Sequence, residues 1–503
     1  MVASTLLDLL HYWHDTNGEK NALWWQGEYI SYSQLYQQVR KRAEAFSQRY
    51  PATERIAVLG YNSPEYVALL YAIPSANHVV LPLNARLSAT EWIYQLKQSK
   101  AKMLIAEAGL LHRLKADPAF DEVLKKQLTF LDIDQEMRPW LESCSVAGEL
   151  KPNDSHAPAW MLYTSGSTGH PKAALLSQKN LLAGLDSGAY GRPVFEHDHY
   201  LYPFPLFHVA GHNVLLQHQY GACVVLLRGF DAATVMQCCR ELKIDTMSLA
   251  PTMIAMLLEH PDFSYADLAS VRTIGYGASA MPEKLLHKLL NNSSVGLCQG
   301  YGMTELSGSI AFLTEDDHQQ ALHKYPQRLK SVGKVVPGIS VKITEEGEIA
   351  VKAKQRMLGY WHADESIVPS QEQNWFLTGD MGVFDDDGYL YLLDRKKDMI
   401  ITGGENVASR EVESVLLQSP QIKQAAVVAT SDDRWGEAVT AFICLATGQA
   451  TTGEQVKQFS RQYLAAYKVP KYVYFVAALP VNASGKVDKP ALREQAEQRK
   501  VRD

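Results

Sequence analysis

Short apolar runs alternate with amphipathic stretches along most of the chain. Ser31, followed three residues later by Gln34, is typical of a helix start, and apolar residues at helical spacing follow the pair. A second helix is predicted over residues 88–99. Runs rich in Val, Ile and Leu predict buried strands at Arg55–Leu59, Val79–Leu83, Met103–Ala106 and residues 224–227. This alternation predicts an α/β fold, in which parallel or mixed sheets are flanked by helices.

A turn and a change in charge mark a boundary late in the chain. Residues 384–388 (FDDDG) predict a turn, and residues 389–393 predict a short strand after it. Residues 398–503 carry 13 basic and 12 acidic side chains, a net charge of +1, whereas residues 1–397 carry −7. We therefore expect a large N-terminal domain over residues 1–394, a connection over residues 395–397 and a small C-terminal α+β domain over residues 398–503.

Composition narrows the classes of function. The 503 residues carry a net charge of −6, and this lack of a basic excess argues against nucleic-acid binding. The longest uniformly apolar stretch, residues 66–73, is much shorter than the ~20 residues of a transmembrane helix, and the N-terminus lacks the basic start of a secretory signal. The six scattered cysteines form no CxxC pair, so we expect no zinc site and a cytoplasmic protein.

The strongest chemical signal is the segment 164–172, which reads TSGSTGHPK. It follows a predicted strand over residues 160–163 and precedes a predicted helix over residues 173–184. Glycines let backbone N–H groups converge on an anion, hydroxyl groups donate hydrogen bonds, and Lys172 adds a positive charge. The residue order differs from the Walker A pattern GxxxxGK[ST], but the composition predicts a phosphate-binding loop.

Further motifs follow this loop in a characteristic order. They are GYGMTE at residues 300–305, TGD at 378–380, DR at 394–395, GGEN at 403–406 and SGK at 484–486. Together with the phosphate loop, they resemble the AMP-forming acyl-CoA synthetases, a family of adenylate-forming enzymes, over nearly the whole chain. The resemblance implies ATP and CoA as co-substrates, a small-molecule carboxylic acid as the third substrate and Mg²⁺ as the metal. It also implies that the C-terminal domain rotates between two half-reactions.

Several of these motifs are implied to contact the nucleotide. Thr304 is implied as a phosphate contact and Glu305 as the Mg²⁺ ligand, a role that suits a hard carboxylate oxygen. Asp380 is implied to accept hydrogen bonds from both ribose hydroxyls, with Arg395 as a second ribose or phosphate contact. The other implied ATP or AMP contacts are Thr164, Ser165, Gly166, Ser167, Thr168, Gly169, Lys172, Gly277, Ala278, Ser279, Gly300, Tyr301, Gly302, Met303 and Lys486.

Other residues are implied in the acyl and thiol steps. Lys486 occupies the position of the family's adenylation lysine, where a cation stabilises charge as the acyl-adenylate forms. Lys397 occupies the hinge position, whereas Lys489 and Arg493 are expected to be solvated. The implied catalytic set is Lys172, His208, Thr304, Glu305 and Lys486. His208 is also implied at the entrance between acyl pocket and thiol tunnel, and the other implied lining residues are Gly211, Gly277, Gly404 and Trp435.

The expected activity is ATP-dependent ligation of an acid to CoA through an acyl-adenylate. The segment 207–211 (FHVAG), with small residues after His208, resembles fatty acyl-CoA ligases more than arylate ligases. This resemblance favours a medium- or long-chain fatty acid, with an aryl or arylpropenoic acid as the alternative. Two other interpretations stay open: an enzyme that loads a separate acyl carrier protein, and a degenerate acyl- or nucleotide-binding protein. Retention of Lys172, Glu305, Asp380 and Lys486 together argues against the last. A homodimer is compatible with the sequence.

Overall fold

A computed structural model describes residues 3–144, 150, 153–164, 171–277, 279, 281–362, 364, 366–368, 375–482 and 485–500. The α-helices within these ranges are α1 (Leu6–Asn17), α2 (Tyr32–Arg49), α3 (Pro64–Ser75), α4 (Ala89–Ser99), α5 (Ala108–Lys115), α6 (Glu122–Gln127), α7 (Met137–Ser143), α8 (Gln178–Gly191), α9 (His212–Gln219), α10 (Ala232–Leu242), α11 (Pro251–Leu258), α12 (Glu283–Asn292), α13 (Glu315–His323), α14 (Ser409–Leu416), α15 (Gly453–Ser460) and α16 (Lys489–Lys500).

The β-strands are β1 (Asn21–Trp25), β2 (Glu28–Ser31), β3 (Arg55–Leu59), β4 (Val79–Leu83), β5 (Met103–Ala106), β6 (Thr129–Asp132), β7 (Pro158–Thr164), β8 (Lys172–Ser177), β9 (His199–Tyr202), β10 (Cys223–Leu226), β11 (Thr246–Ser248), β12 (Thr273–Gly277), β13 (Gly296–Met303), β14 (Gly308–Leu313), β15 (Lys334–Val335), β16 (Ser340–Ile343), β17 (Glu348–Lys352), β18 (Gly359–Trp361), β19 (Ile367–Val368), β20 (Phe376–Phe384), β21 (Leu390–Arg395), β22 (Ile400–Thr402), β23 (Glu405–Val407), β24 (Ile422–Asp432), β25 (Gly436–Leu445) and β26 (Tyr472–Phe475). The predicted α/β class is confirmed.

The chain divides into two compact units. The N-terminal unit comprises Met1–Ser340 and Lys352–Phe376, and the C-terminal unit comprises Val341–Val351 and Leu377–Asp503. The hairpin strands β20 and β21 therefore pack almost entirely with the C-terminal unit. The connection over residues 395–397 is predicted to act as the hinge for rotation of the C-terminal domain. This role stays a prediction.

Local sequence signals position most of the element ends. Ser31 caps α2 and Ser88 caps α4, each in a reciprocal pair of hydrogen bonds with the residue three positions on. The strands β3, β4 and β5 have the predicted bounds, and β10 is shifted by one residue. The helix predicted over residues 173–184 is wrong in its first part, because Lys172–Ser177 form a strand and α8 begins after Ser177. This apolar segment is buried and pairs antiparallel with β7, so sheet packing outweighs its helix propensity.

The first sheet of the N-terminal unit carries two strand ends that matter for the site. Its strand order is β15-β14-β13-β12-β11-β9-β10-β1-β2. Pairing is parallel from β13 to β1, and antiparallel at the edges formed by β2, β14 and β15. One hydrophobic core of this unit includes Leu201, Val235, Leu257, Ile274 and Leu289. Ligands in such sheets bind outside the carboxyl ends of parallel strands, which here include those of β12 and β13.

The second sheet of the N-terminal unit has the order β19-β18-β8-β7-β4-β3-β5-β6. Its central strands are parallel, whereas β8 and β18 are antiparallel to their neighbours. Thr164 at the end of β7 lies opposite Lys172 at the start of β8, and Tyr360 of β18 lies opposite Ala174. The sheet thus brings residue 360 close to the two ends of the predicted phosphate loop.

The C-terminal unit contains two further sheets. One has the order β16-β17-β20-β21, and the other has the order β23-β22-β25-β24 with β26 beside β25. Buried residues of the second sheet and of α14 and α15 form a core that includes Val412, Val427, Val439 and Val456. None of the helices in the described parts of the chain combines the length and hydropathy that a bilayer span requires.

Candidate active site

Glu305 is the centre of a polar cluster in the N-terminal unit. Its Oε1 atom accepts a hydrogen bond from Thr164 Oγ1 at 3.2 Å and another from the Tyr360 hydroxyl at 3.0 Å. Lys172 Nζ lies 5.4 Å from the centroid of the Tyr360 ring. The structure therefore brings together Thr164, Lys172 and Glu305, which the sequence predicted, and adds Tyr360, which it did not.

A tight turn after β13 presents Glu305. The segment Thr304–Leu306 forms a 3₁₀ turn, and the chain then passes through Ser307 with φ 48° and Gly308 with φ 128°. The second value lies in the region that favours glycine. The buried Gln355 side chain donates hydrogen bonds to backbone carbonyl groups on either side of this strained step, at 2.7 Å and 3.0 Å. Such support is needed where the backbone is held in a sparsely populated conformation.

The chemistry of the cluster fits a Mg²⁺ ligand at Glu305. Both hydrogen bonds go to Oε1, and Oε2 makes none with the described residues. Within those residues no group of three His, Cys, Asp or Glu side chains could hold a metal. Mg²⁺ commonly binds through one or two carboxylates and the phosphates of a substrate, so a single carboxylate suffices. Burial and then the charge of Glu305 raise the pKa of Tyr360, which keeps the phenol protonated as a donor.

Two glycines predicted as nucleotide contacts lie side by side, one at the end of β12 and one within β13. Gly277 pairs with Gly300, and a Cβ atom at Gly277 would lie 2.7 Å from the Gly300 carbonyl oxygen. This close approach explains the glycine. Ser279 is exposed, Tyr301 is buried, and Gly302, Met303 and Thr304 follow along the strand end and turn. The predicted contacts outside the described residues are Ser165, Gly166, Ser167, Thr168, Gly169 and Ala278.

His208 lies at the start of a short 3₁₀ turn, Val209–Gly211, in the N-terminal unit. Its backbone carbonyl accepts a hydrogen bond from the Gly211 amide at 2.9 Å, and a Cβ atom at Gly211 would lie 2.9 Å from the Leu206 carbonyl oxygen. The buried Asn62 accepts a hydrogen bond from the Leu206 amide at 2.8 Å and donates to the Phe204 carbonyl at 2.6 Å. Asn62 thereby fixes the segment that presents His208.

Asp380 and Arg395 form a cross-strand pair within the C-terminal unit. They lie directly opposite each other on β20 and β21, and Arg395 Nε is 2.5 Å from Asp380 Oδ1. Asp380 is buried, and its amide donates to Thr378 Oγ1 at 3.1 Å. The two predicted ribose contacts are therefore neighbours, held by strand register and by an ion pair.

Lys486 lies at the tip of a small hairpin in the C-terminal unit. Its amide donates to Asn482 Oδ1 at 3.1 Å, its carbonyl accepts from the Asn482 amide at 2.8 Å, and Val481 pairs with Val487. Gly485, with φ 77°, allows the reversal. The Lys486 side chain is exposed. The hydrogen bonds with Asn482 position the backbone of Lys486, and its role in adenylation stays a prediction.

The predicted thiol-tunnel residues of the C-terminal unit are also neighbours. Gly403 donates its amide hydrogen to the Trp435 carbonyl at 2.8 Å, and a Cβ atom at Gly403 would lie 2.8 Å from Trp435 Cε3. Gly404 follows with φ 85° and open space around it. Trp435 is 46% exposed, so its indole is available to a ligand.

The backbone of Lys397, the predicted hinge residue, contacts α16. Lys397 is exposed in the 3₁₀ turn Lys396–Asp398, and its carbonyl accepts a hydrogen bond from Arg493 Nη2 at 2.9 Å. Arg493 also pairs with Asp398 at 2.5 Å. The expectation that Lys489 and Arg493 are solvated is wrong, because Lys489 Nζ bonds Ser409 Oγ at 2.5 Å and lies 2.9 Å from Glu413 Oε1.

Sequence reasoning missed three residues that support these sites: Tyr360, Gln355 and Asn62. Each reaches its partner across a long separation in the chain, 55 residues for Tyr360 and Glu305 and 144 residues for Asn62 and Leu206. The local sequence around them carries no signal for these contacts. Their roles become visible only through sheet pairing and helix packing.

Comparison with known proteins places the chain in a family. The AMP-binding enzyme family model matches residues 10–361, and the model of the AMP-binding enzyme C-terminal domain matches residues 411–486. The long-chain-fatty-acid–CoA ligase FadD13 of Mycobacterium tuberculosis is 32% identical over 454 residues, which cover 88% of each chain. Indoleacetate–CoA ligase of Aromatoleum aromaticum is 33% identical over 485 residues, which cover 92% of this chain and 93% of the relative.

A solved structure extends the similarity to the whole fold. It is the o-succinylbenzoate coenzyme A synthetase of Bacillus subtilis in complex with ATP and a magnesium ion, with a TM-score of 0.83 and 28% identity over 97% of this chain and 98% of that one. The predicted enzyme class, an AMP-forming acid–thiol ligase, is confirmed, and acyl- or aryl-CoA ligase activity is supported without a defined acid. By its sequence, its fold and its domain content, this chain belongs to the AMP-binding enzyme family of adenylate-forming ligases.

Proposed function

We propose that this chain joins a carboxylic acid to CoA in two half-reactions at the site described above. In the first, a carboxylate oxygen attacks the α-phosphorus of ATP, and the bond to the pyrophosphate oxygen breaks. In the second, a thiolate attacks the acyl carbonyl carbon, and the bond to the AMP oxygen breaks. The observation that carries the proposal is the cluster of Thr164, Lys172 and Glu305, which is assembled from two separate motifs, the segments 164–172 and 300–305.

The first half-reaction brings two anions together, so its demands are mainly electrostatic. Lys172 and Lys486 supply positive charge, and the phosphate loop and Thr304 position the nucleotide. When bound, Mg²⁺ would be held by Glu305 and would neutralise phosphate charge. Asp380 would orient the ribose, because a carboxylate can accept from two hydroxyl groups at once.

The acceptor thiol is proposed to be CoA. A cleft of about 300 Å³ lies beside the His208 segment, lined by residues that include Phe207, Tyr61, Arg86 and Arg228. Arg228 lies 5.0 Å from the Tyr61 ring centroid and pairs with Glu107 at 2.7 Å, whereas Arg86 forms no ion pair with the described residues, so a cationic and an aromatic group line the cleft. This combination suits the base and phosphates of a nucleotide handle. A carrier protein would present a phosphopantetheine arm without such a nucleotide, and it is the alternative acceptor.

For the acid, the sequence favours a medium- or long-chain fatty acid, with an aryl or arylpropenoic acid as the alternative. The similarity to FadD13 supports the first, and the similarity to indoleacetate–CoA ligase supports the second. The small residues after His208 allow either, because they leave space at the predicted entrance.

A panel assay tests the function. AMP release is measured with ATP, Mg²⁺ and a series of aliphatic, aryl and dicarboxylic acids, with either CoA or holo-carrier protein as the acceptor. We expect at least one acid to give AMP and a CoA thioester, and Glu305→Gln to lose about 10²–10³ in rate. AMP release with holo-carrier but not CoA would assign the carrier as acceptor. Absence of AMP with every acid and acceptor would contradict the proposed function.

A further inference from the structure

A buried arginine lies beside β12 in the N-terminal unit. Arg192 follows α8 and is 7% exposed. Its Nη1 atom donates to Ser248 Oγ at 2.7 Å and to the Met247 carbonyl at 3.3 Å, and its guanidinium carbon lies 5.2 Å from the Tyr200 ring centroid. No carboxylate of the described residues forms an ion pair with it, whereas Arg272 is paired through two hydrogen bonds with Asp198.

Among the residues that the structure describes, no negative charge compensates the buried guanidinium of Arg192. A guanidinium stays protonated in proteins, and a buried charge is costly unless a counter-charge and hydrogen bonds compensate it. The Nε and Nη2 atoms of Arg192 make no hydrogen bond with any described residue. The N–H groups at Nε and Nη2 of Arg192 are therefore available to donate hydrogen bonds to an anion from outside the chain.

Arg192 faces the predicted acyl pocket. Gly275 and Gly277 are two residues apart on β12, so they face the same side of the sheet. A Cβ atom at Gly275 would lie 2.1 Å from Arg192 Nη1, so the guanidinium occupies the space that a side chain there would take. The strand rises about 3.3 Å per residue, which puts this space about 7 Å along the strand from Gly277, the predicted border of adenine and acyl group.

The neighbouring side chains fit an anion. Ser248 Oγ accepts hydrogen bonds from both Arg192 Nη1 and the Tyr200 hydroxyl, so its own proton remains to donate. His212 Nδ1–H donates to the Val209 carbonyl at 2.9 Å. Burial, opposed by that bond and assisted by the charge of Arg192, lowers the pKa of His212 to about 4. His212 is thus neutral at pH 7, so it adds no second positive charge beside Arg192 and does not compensate the charge of Arg192.

We propose that the acid this enzyme activates carries a second carboxylate, which binds Arg192 and Ser248 at the far end of the acyl pocket. The inference rests on the proposed function and narrows its substrate class to dicarboxylic acids, aliphatic or aryl. A simple fatty acid would place methylene groups against the guanidinium and leave its charge unpaired. A distal carboxylate would accept the unused N–H donors and the Ser248 proton.

The test compares each dicarboxylic acid with its own monomethyl ester, which has nearly the same length but no distal charge. Initial rates of pyrophosphate release give kcat/KM for aliphatic and aryl pairs of increasing length. We expect the best diacid to exceed its ester by about 100-fold or more, because a site built to bind a polar group rejects the analogue that lacks it. In Arg192→Gln this ratio should fall to near one through loss of diacid activity, with ester activity within a few-fold of wild type.

Arg272→Gln is the matched control, since this arginine already has a carboxylate partner and the variant should keep the wild-type ratio. If Arg192→Gln does not fold, as judged by thermal unfolding, the inference is decided by the diacid-to-ester ratios of the wild type and of the variant Ser248→Ala. A folded Arg192→Gln variant with an unchanged ratio, or a wild-type enzyme that prefers esters at every length, would overturn the inference alone. Failure of all acids to yield pyrophosphate would instead overturn the proposed function.

Discussion

Replacing Tyr360 by phenylalanine isolates one hydrogen bond at the candidate metal ligand. The variant removes the hydroxyl that donates to Glu305 Oε1 at 3.0 Å but keeps the ring beneath Lys172. Because the Tyr360 pKa is raised above its ordinary value, the wild-type phenol is a neutral donor, and the substitution changes no charge. We expect Tyr360→Phe to raise the Mg²⁺ concentration needed for half-maximal adenylation.

The magnitude follows from the geometry of Oε1. A hydrogen bond to a charged group contributes about 1.5–3 kcal/mol, and partial exposure of Tyr360 favours the lower end. Since about 1.36 kcal/mol corresponds to a tenfold change in rate, kcat/KM for Mg·ATP should fall about tenfold. Thr164→Val should cost a similar factor, because Thr164 supplies the second donor. The double variant leaves the Glu305 carboxylate with neither donor. Its fold-decrease in kcat/KM should therefore differ from the product of the fold-decreases in the two single variants.

The assay is ATP–pyrophosphate exchange over a Mg²⁺ titration at saturating acid. Tyr163→Phe is the control: its hydroxyl lies on the preceding residue of β7 but bonds the Gln95 carbonyl at 3.1 Å instead of Glu305. That variant should titrate like the wild type. If folded Tyr360→Phe has the wild-type Mg²⁺ dependence and kcat/KM, the hydrogen bond from Tyr360 to Glu305 Oε1 does not support adenylation, and the reasoning is refuted.

Three further predictions concern other parts of the chain. Lys486→Ala should slow adenylate formation by about 10²–10³, while thioester formation from synthetic acyl-adenylate and CoA stays within a few-fold; equal losses in both steps would contradict a role confined to the first. Asp380→Ala should raise KM for ATP and reduce the preference for ATP over dATP, and an unchanged preference would exclude a ribose contact. Burial lowers the pKa of His212, His218 and His318 to about 4. Their folded pKa values lie below the ~6.5 of an unfolded histidine, so the unfolded chain binds more protons as pH falls from ~6.5 to ~4, and each histidine should remove up to ~1.4 kcal/mol of stability per pH unit. Urea unfolding from pH 7 to pH 4.5 measures this slope, and His218→Gln should flatten it.

Local patterns predicted much of the secondary structure because their signals are short-range. The serine caps of α2 and α4 act over three residues, and the apolar runs of β3, β4 and β5 are buried whatever the topology. The prediction failed for the segment Lys172–Ser177, which forms a strand instead of a helix. Alanine and leucine suit a helix, but antiparallel pairing with β7 decides its state, and that pairing is not visible in the segment itself.

The motifs predicted which residues would gather at the sites, but not how they are held. Register brings Asp380 opposite Arg395, and neither motif by itself predicts their 2.5 Å contact. Lys489 shows the opposite error. It follows a polar turn and looks solvated in the sequence, yet the first turn of α16 directs its ammonium group to Ser409 and Glu413.

The acyl pocket shows why substrate class is harder to predict than reaction class. The reaction requires motifs that bind the same nucleotide whatever the acid. Each of these motifs is a run of consecutive residues, so it can be recognised in the sequence. The pocket is instead assembled from segments that the chain brings together, such as the end of α8 at Arg192 and Ser248 at the end of β11, 56 residues apart. Small residues after His208 indicate space at the entrance, and the resemblance of this segment to fatty acyl-CoA ligases favours an apolar chain. Space at the entrance does not determine the polarity at the far end of the pocket. There the guanidinium of Arg192, which has no carboxylate partner among the described residues, changes which acid fits. A single cation can thus redirect specificity while every motif of the adenylation chemistry stays the same.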